Sequence, residues 1–189
     1  NKAKKIVEAK EIDTKGVNKD PNHTVGELHA GLKKISEGKL NNYAKVLELI
    51  KTTYDTHKMT GMIVGNIWKK LSSEKQNELK KVFEEYIAKN YLKRFHKMTN
   101  IKFEKMETQK INEDFRMVKT VLNIDNSENI NIDYLLTKTK NKWKIFDVLL
   151  AGSVSEIATK KSEFSNFIND SSIDKLIEAL KKKNLTILK

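Results

Sequence analysis

The sequence predicts an α+β domain in which helices come first, an antiparallel sheet of about four strands follows, and two more helices close the chain. Up to about residue 100, apolar residues recur every three or four positions, which is typical of amphipathic helices. In residues 130–137, apolar and polar side chains largely alternate, which is the two-residue period of a strand. Short connections between the strands favour antiparallel pairing, and helices, sheet and helices in this order form an α+β domain.

Three helical segments are predicted before residue 72. The first begins near Thr24 and ends at Gly38, because glycine commonly terminates a helix. The second holds the apolar side chains of residues 43–50, and the third is the apolar segment 57–71.

The longest apolar stripe begins after Ser73. Ser73 and Gln76, three residues later, form the pattern of a capping box. The stripe continues to Phe95 with Glu and Lys on the opposite face, which predicts an amphipathic helix. We expect its aromatic residues to pack in the core, and lining a ligand cavity would extend the same role.

The strands are predicted after residue 100. Residues 115–124, 130–136 and 143–150 are rich in the residue types that favour strands, and residues 101–111 give a weaker signal. Residues 126–129 and 140–142 are short polar segments of the kind that connect hairpins.

The closing helices follow a short segment of small residues, Gly-Ser-Val-Ser at 152–155. We expect this hinge to turn the chain back over the sheet, with a serine as the helix cap. One closing helix carries the apolar side chains of residues 157–168. The other starts at Ser171 or Ser172 and carries apolar side chains as far as Leu180.

The domain organisation is simple. Residues 1–22 are polar and rich in lysine, which predicts a loose basic N-terminal segment with one short helical piece. Residues 23–189 form a single domain. The first residue is Asn1 and no signal peptide is visible, so we expect a processed or trimmed mature form, which permits export.

The net charge of +12 has two interpretations. An anionic partner such as nucleic acid, an acidic protein surface or phosphate headgroups would explain it, and so would a codon usage rich in A and T. Nucleic-acid binding is disfavoured because the lysines are spread over every segment and the only arginines are Arg94 and Arg116. No apolar run approaches the ~20 residues of a membrane span, so we expect no stable membrane insertion.

Motifs of the common enzyme and metal sites do not occur in the sequence, including phosphate-binding glycine loops, HExxH and Gly-x-Ser-x-Gly. The four histidines are not spaced four residues apart and cysteine is absent, so we expect no metal ion and no catalytic residues. Ser153 and Ser155 lack a recognisable base, which favours a turn or helix cap over a nucleophile.

Asp147 lies within an apolar predicted strand. A carboxylate in such surroundings must find a hydrogen-bonding partner or have a raised pKa. A structural carboxylate and a general base therefore both stay open.

Four stretches of the chain have the order and spacing of one protein family. Residues 63–95 combine Ile-Val-Gly-Asn-Ile-Trp with the helix start Ser-Ser-Glu-Lys-Gln, and residues 130–136 contain an Asp-Tyr pair in a strand. Residues 143–155 join Trp-Lys-Ile-Phe-Asp-Val to Gly-Ser-Val-Ser, and residues 172–184 begin Ser-Ile-Asp-Lys-Leu. Over residues 20–184 the chain resembles the MlaC, or toluene-tolerance, family of periplasmic phospholipid-binding proteins, which are auxiliary components of an ABC transporter.

Two positions depart from the family pattern. The family's Glu-Gly-Val-Ser is Gly-Ser-Val-Ser here, so Gly152 stands where the family has an acidic residue. Ser172 stands at the start of the closing helix, where glycine is common in the family. These departures concern the hinge and the preference for partner or lipid.

The resemblance implies a nuclear-transport-factor-like fold, in which a curved antiparallel sheet wrapped by helices encloses a deep apolar pocket. It implies a lipid carrier of the periplasm that is not an enzyme and has no cofactor, with phospholipid as cargo. The implied partners are an outer-membrane lipoprotein–porin complex and an inner-membrane ABC transporter with an MCE-domain protein. The implied role is in outer-membrane lipid asymmetry.

A carrier needs more apolar side chains than an ordinary core contains. Each methylene that leaves the membrane costs ~0.8 kcal/mol if it is exposed to water, so the protein must bury it again. The helices and strand faces richest in such side chains supply them, and flexible methionines suit tails of varied length. The predicted lipid-binding residues of this single domain are Met59, Met62, Ile63, Ile67, Phe83, Tyr86, Ile87, Val118, Leu122, Ile132, Tyr134, Leu136, Ile145, Val148 and Val154. Nearby lysines would pair with the headgroup phosphate.

Three alternatives stay open, one of which is the basic nucleic-acid-binding protein that the scarcity of arginine disfavours. The cargo could be another lipid, such as a hopanoid or a fatty acid. The chain could instead be a small isomerase or dehydratase of the same fold with Asp147 as base, which would require a second polar group beside Asp147 in the pocket.

Overall fold

The structure is a computed structural model that describes residues 20–125 and 128–189. The loose segment expected at residues 1–22 lies outside the described residues except for its last three. The helices are α1 (Pro21–Ser36), α2 (Tyr43–Thr53), α3 (Thr56–Val64), α4 (Ser73–His96), α5 (Glu156–Phe164) and α6 (Asp174–Thr186), with 3-10 turns at Trp68–Lys70 and Ser165–Phe167. The strands are β1 (Ile101–Lys110), β2 (Phe115–Ile124), β3 (Glu128–Thr139), β4 (Lys142–Leu150) and β5 (Val154–Ser155).

The five strands form one antiparallel sheet in the order β1-β2-β3-β4-β5. This confirms the predicted α+β class and the hairpin at residues 140–142; of the connection predicted at 126–129, residues 126 and 127 are outside the described part. The sheet has one strand more than expected, because the hinge itself pairs with β4 through Leu149–Ser155 and Leu150–Val154. The ladders have one extra residue in β1, Lys105, and one in β4, Phe146; such bulges increase local twist and so contribute to the curvature of the sheet.

The first helix begins at Pro21, three residues before the predicted start near Thr24. Asp20 caps it, because its carboxylate accepts a hydrogen bond from the backbone N–H of Asn22 at 2.9 Å. Proline suits the first turn, where its missing N–H costs nothing.

The third predicted segment, residues 57–71, is divided, since α3 ends at Val64 and Gly65 follows with φ of +80°.

The capping box predicted for the long helix is wrong. The cap is Ser72, whose Oγ accepts from Lys75 N at 3.1 Å. Gln76 instead donates through Nε2 to the carbonyl of Trp68 at 2.8 Å and so ties α4 to the preceding 3-10 turn.

The helices cover one face of the sheet. Helix α4 packs against α1, α2, α3 and α6, while α1 and α5 contact the sheet directly. The apolar side chains from both layers form one continuous buried cluster. Among the helices of residues 20–125 and 128–189, none combines the length and apolar character that crossing a bilayer requires.

Candidate functional site

An apolar cavity of about 130 Å³ lies between the inner face of β3 and β4 and the helices α4 and α5. Helix α4 contributes side chains at the three- and four-residue spacing of one helix face. The lining residues are Leu32, Tyr54, Met59, Phe83, Tyr86, Ile87, Asn90, Tyr91, Arg94, Phe95, Ile132, Tyr134, Val148, Leu150, Glu156, Ile157 and Lys160.

The cavity brings together seven of the fifteen residues predicted to bind lipid. These are Met59, Phe83, Tyr86, Ile87, Ile132, Tyr134 and Val148. The other eight do not line it: Val118, Leu122, Leu136 and Ile145 are buried in the core, Ile63 is also buried, Ile67 is half-buried, and Met62 and Val154 are exposed. The lipid-binding role of all fifteen stays a prediction.

Sequence reasoning missed several lining residues that the spacing of α4 could have indicated. Asn90 and Arg94 lie on the same face of the helix as Tyr86, Ile87 and Tyr91. An apolar pattern indicates only apolar residues, whereas a cavity that opens to solvent also has polar residues at its edge. Glu156 and Lys160 of α5 were missed for the same reason.

The buried end of the cavity is polar but uncharged. The hydroxyls of Tyr54 and Tyr91 are hydrogen-bonded to each other, and the Tyr134 hydroxyl lies 2.9 Å from Nε2 of His29. Burial raises the pKa of Tyr54 and of Tyr134 well above the usual tyrosine value. Burial also lowers the pKa of His29 to about 3, so its imidazole is neutral at pH 7. Phe103 stacks on the imidazole with ring centroids 3.7 Å apart.

The other end of the cavity is charged. Arg94 is exposed, and Glu156 and Lys160 are half-buried. The Lys160 ammonium lies 5.5 Å from the centre of the Tyr86 ring and 3.1 Å from a carboxylate oxygen of Glu163. The cavity therefore matches a molecule with a hydrocarbon part inside and a charged group at the opening.

Asp147 is a structural carboxylate and does not line the cavity. Its Oδ2 accepts a hydrogen bond from Ser155 Oγ at 2.5 Å, and its Oδ1 accepts from Ile157 N at 3.1 Å. Ser155 Oγ in turn accepts from Ala158 N at 3.0 Å, which makes it the predicted helix cap. Both polar groups are thus used in joining β4 to α5, which removes the geometric basis for Asp147 as a base in the pocket.

Within the described residues, no group of three or more His, Asp or Glu side chains could hold a metal ion.

Comparison with known proteins identifies a family and solved structures of similar fold. The model of the MlaC protein family matches residues 22–182. No curated protein matches the chain. A solved structure with a similar fold is the phospholipid-binding protein from Ralstonia solanacearum in complex with a phospholipid, which is 20% identical, with 89% of this chain and 96% of that chain covered and a TM-score of 0.70.

Proposed function

This chain belongs to the MlaC family, and on that premise we propose that it is a periplasmic carrier that holds the acyl chains of a phospholipid in the apolar cavity. We also propose that it is not an enzyme, needs no cofactor and shuttles lipid between an outer-membrane lipoprotein–porin complex and an inner-membrane ABC transporter with an MCE-domain protein. The observation that carries the proposal is a cavity with apolar walls and a charged opening, placed between sheet and helices.

The physical requirement for a carrier is the replacement of membrane hydrocarbon. Each methylene exposed to water costs ~0.8 kcal/mol, so an acyl chain leaves the bilayer readily only when protein side chains cover it. The aliphatic and aromatic walls contributed by Phe83, Ile87, Ile132 and Val148 provide such a surface.

The charged opening suits a phospholipid headgroup. Arg94 and Lys160 supply positive charges for the phosphate, and the Arg94 guanidinium can bind two phosphate oxygens at once. Glu156 lies in the same lining and offers a carboxylate to an ammonium group. A zwitterionic headgroup would satisfy both signs of charge.

The size of the cavity sets a condition on the proposal. A volume of about 130 Å³ is close to that of an engineered protein cavity of ~150 Å³ that holds one benzene molecule. Two acyl chains need far more room, so the proposal requires the helices over the sheet to move outwards as lipid enters.

Native mass spectrometry of the purified protein, with chloroform extraction of the same sample, tests the proposal. We expect a fraction of the protein to carry a mass that matches phospholipid, and the extract identifies the cargo. A hopanoid or fatty acid in place of phospholipid would support the alternative carriers. Absence of any bound lipid, even after incubation with phospholipid vesicles, would contradict the carrier function.

A further inference from the structure

A second groove has a volume of about 690 Å³ and shares only Tyr54 with the lining of the apolar cavity. Its walls come from the end of α2, the start of α3, the first half of α4 and the β3–β4 hairpin. Six lysines line it: Lys51, Lys80, Lys81, Lys140, Lys142 and Lys144. The lining contains only two carboxylates, Asp55 and Glu84.

Both carboxylates already have structural hydrogen bonds. Glu84 is buried and accepts from the Thr56 hydroxyl at 2.9 Å. Asp55 caps α3 by accepting from Lys58 N and also accepts from the Thr139 hydroxyl, each at 3.0 Å. Neither is placed in an ion pair with a groove lysine, so the groove keeps an excess of positive charge.

The lysines have few internal partners. Within the described residues, only Lys142 of the six forms an ion pair, with Glu27 at 3.4 Å. The Lys144 ammonium donates to the backbone carbonyl of Lys51 at 2.9 Å. Burial lowers the pKa of Lys144, and the positive charges of Lys142 and Lys80 act in the same direction, while Asp55 and Glu84 oppose them. Like charges are therefore held close together here at a cost in free energy.

The backbone around the groove is fixed before any partner arrives. Asp55 N donates to the carbonyl of Ile145 at 2.8 Å, and Tyr54 forms a bridge with Ile145, so the α2–α3 junction is fastened to the sheet. A preformed site loses less free energy to ordering when it binds.

We propose that this groove binds an acidic segment of a protein partner, with carboxylates of the segment placed among the lysines. The complementarity of charge identifies the chemistry of the occupant. The concave shape favours a polypeptide segment over a bilayer, because a flat membrane surface cannot reach lysines on facing walls. Lysine ammonium groups are flexible point charges, which suits several separate carboxylates better than one fixed bidentate group.

The test is fluorescence polarisation with a labelled synthetic octapeptide that contains four glutamates, and with a neutral peptide in which glutamine replaces them. The groove variant combines Lys80→Gln, Lys81→Gln and Lys140→Gln. We expect the wild type to bind the acidic peptide and not the neutral one, and the groove variant to bind about tenfold more weakly at low salt. Far-UV circular dichroism checks that the variant is folded.

The matched control removes the same number of charges elsewhere, through Lys119→Gln, Lys175→Gln and Lys182→Gln, which are all exposed and outside the groove. We expect it to change the affinity less than threefold. Equal losses in both variants would overturn the proposal, since binding would then depend on net charge alone. Binding of inorganic phosphate or phosphatidylglycerol vesicles that needs the groove lysines, without binding of the acidic peptide, would also overturn it.

The inference is independent of the lipid cavity. Lipid content is not measured in this assay, so its failure leaves the carrier proposal standing, and a protein without bound lipid would leave the groove proposal standing.

Discussion

Ser155 Oγ donates a hydrogen bond of 2.5 Å to Asp147 Oδ2, and this contact joins the last long strand to the helix that covers the cavity. The same carboxylate accepts from Ile157 N, and the same hydroxyl accepts from Ala158 N. Two side chains thereby satisfy two of the N–H groups that every helix leaves unpaired at its start. The orientation of α5 over the sheet depends on this arrangement.

Replacing Asp147 with alanine should destabilise the protein by about 1–3 kcal/mol, because it leaves buried donors without partners. Urea denaturation followed by circular dichroism measures the free energy of unfolding. Ser153→Ala is the control, since Ser153 is an exposed serine of the same hinge. It should change the free energy by less than about 0.5 kcal/mol. Equal effects of both substitutions would mean that the Asp147 contacts do not stabilise the hinge.

Some features of the hinge could be predicted from the sequence and others could not. The turn, the serine cap and the antiparallel strands before it follow from local patterns, because small residues, capping oxygens and alternation act over a few neighbours. The pairing of Val154 and Ser155 with β4 could not be predicted, since a two-residue strand has too few positions to show a period.

The cavity was predicted less completely than the fold. Val118 and Ile145 were predicted to bind lipid from the apolar strand faces of β2 and β4, but both side chains are fully buried in the core and do not line the cavity. A pattern of apolar residues shows which face is buried and cannot show where packing is incomplete. That property depends on the separation of α4 and α5 from the sheet, which is set by contacts between distant segments.

Ile132→Arg tests the cavity wall. Ile132 lines the cavity from β3, so an arginine there would place a charge among the acyl chains and should abolish the copurification of lipid. Native mass spectrometry measures the lipid-bound fraction, and circular dichroism confirms folding. Val154→Arg, at an exposed position outside the cavity, should keep the lipid. Retention of lipid by a folded Ile132→Arg protein would place the acyl chains elsewhere.

Gly152 has φ of +75°, a conformation that costs other residues about 1–2 kcal/mol. Gly152→Ala should therefore lower the free energy of unfolding by about 1 kcal/mol. Gly26 provides a matched comparison, because it lies inside α1 and an added Cβ would meet nothing within 4 Å. Gly26→Ala should raise the free energy of unfolding by about 0.5–1 kcal/mol, since alanine favours helix. Thermal denaturation of both variants shows whether each substitution raises or lowers the stability. A change in the same direction for both would contradict the role assigned to φ at Gly152.

His29 should make the protein less stable as the pH falls from about 6.5 towards 3. Its pKa is about 3 in the folded state because burial disfavours the charged imidazole, whereas an unfolded histidine has a pKa of about 6.5. Below pH 6.5 the unfolded chain therefore takes up a proton that the folded protein does not bind, and the free energy of unfolding decreases by up to about 1.4 kcal/mol per pH unit from this group. Well above pH 6.5 both states are neutral at this position and the contribution is constant.

The variant His29→Phe isolates that contribution from the carboxylates that also titrate in acid. It keeps an aromatic ring against Phe103 and loses the contact with the Tyr134 hydroxyl, so it should be less stable than the wild type at pH 7. The difference in free energy of unfolding between the wild type and this variant should decrease as the pH falls from 6.5 to 4.5. Only the wild type has a histidine here that takes up a proton on unfolding. Urea denaturation of both proteins across this range gives the difference in free energy, and a difference that stays constant with pH would show that the imidazole titrates equally in the folded and unfolded states.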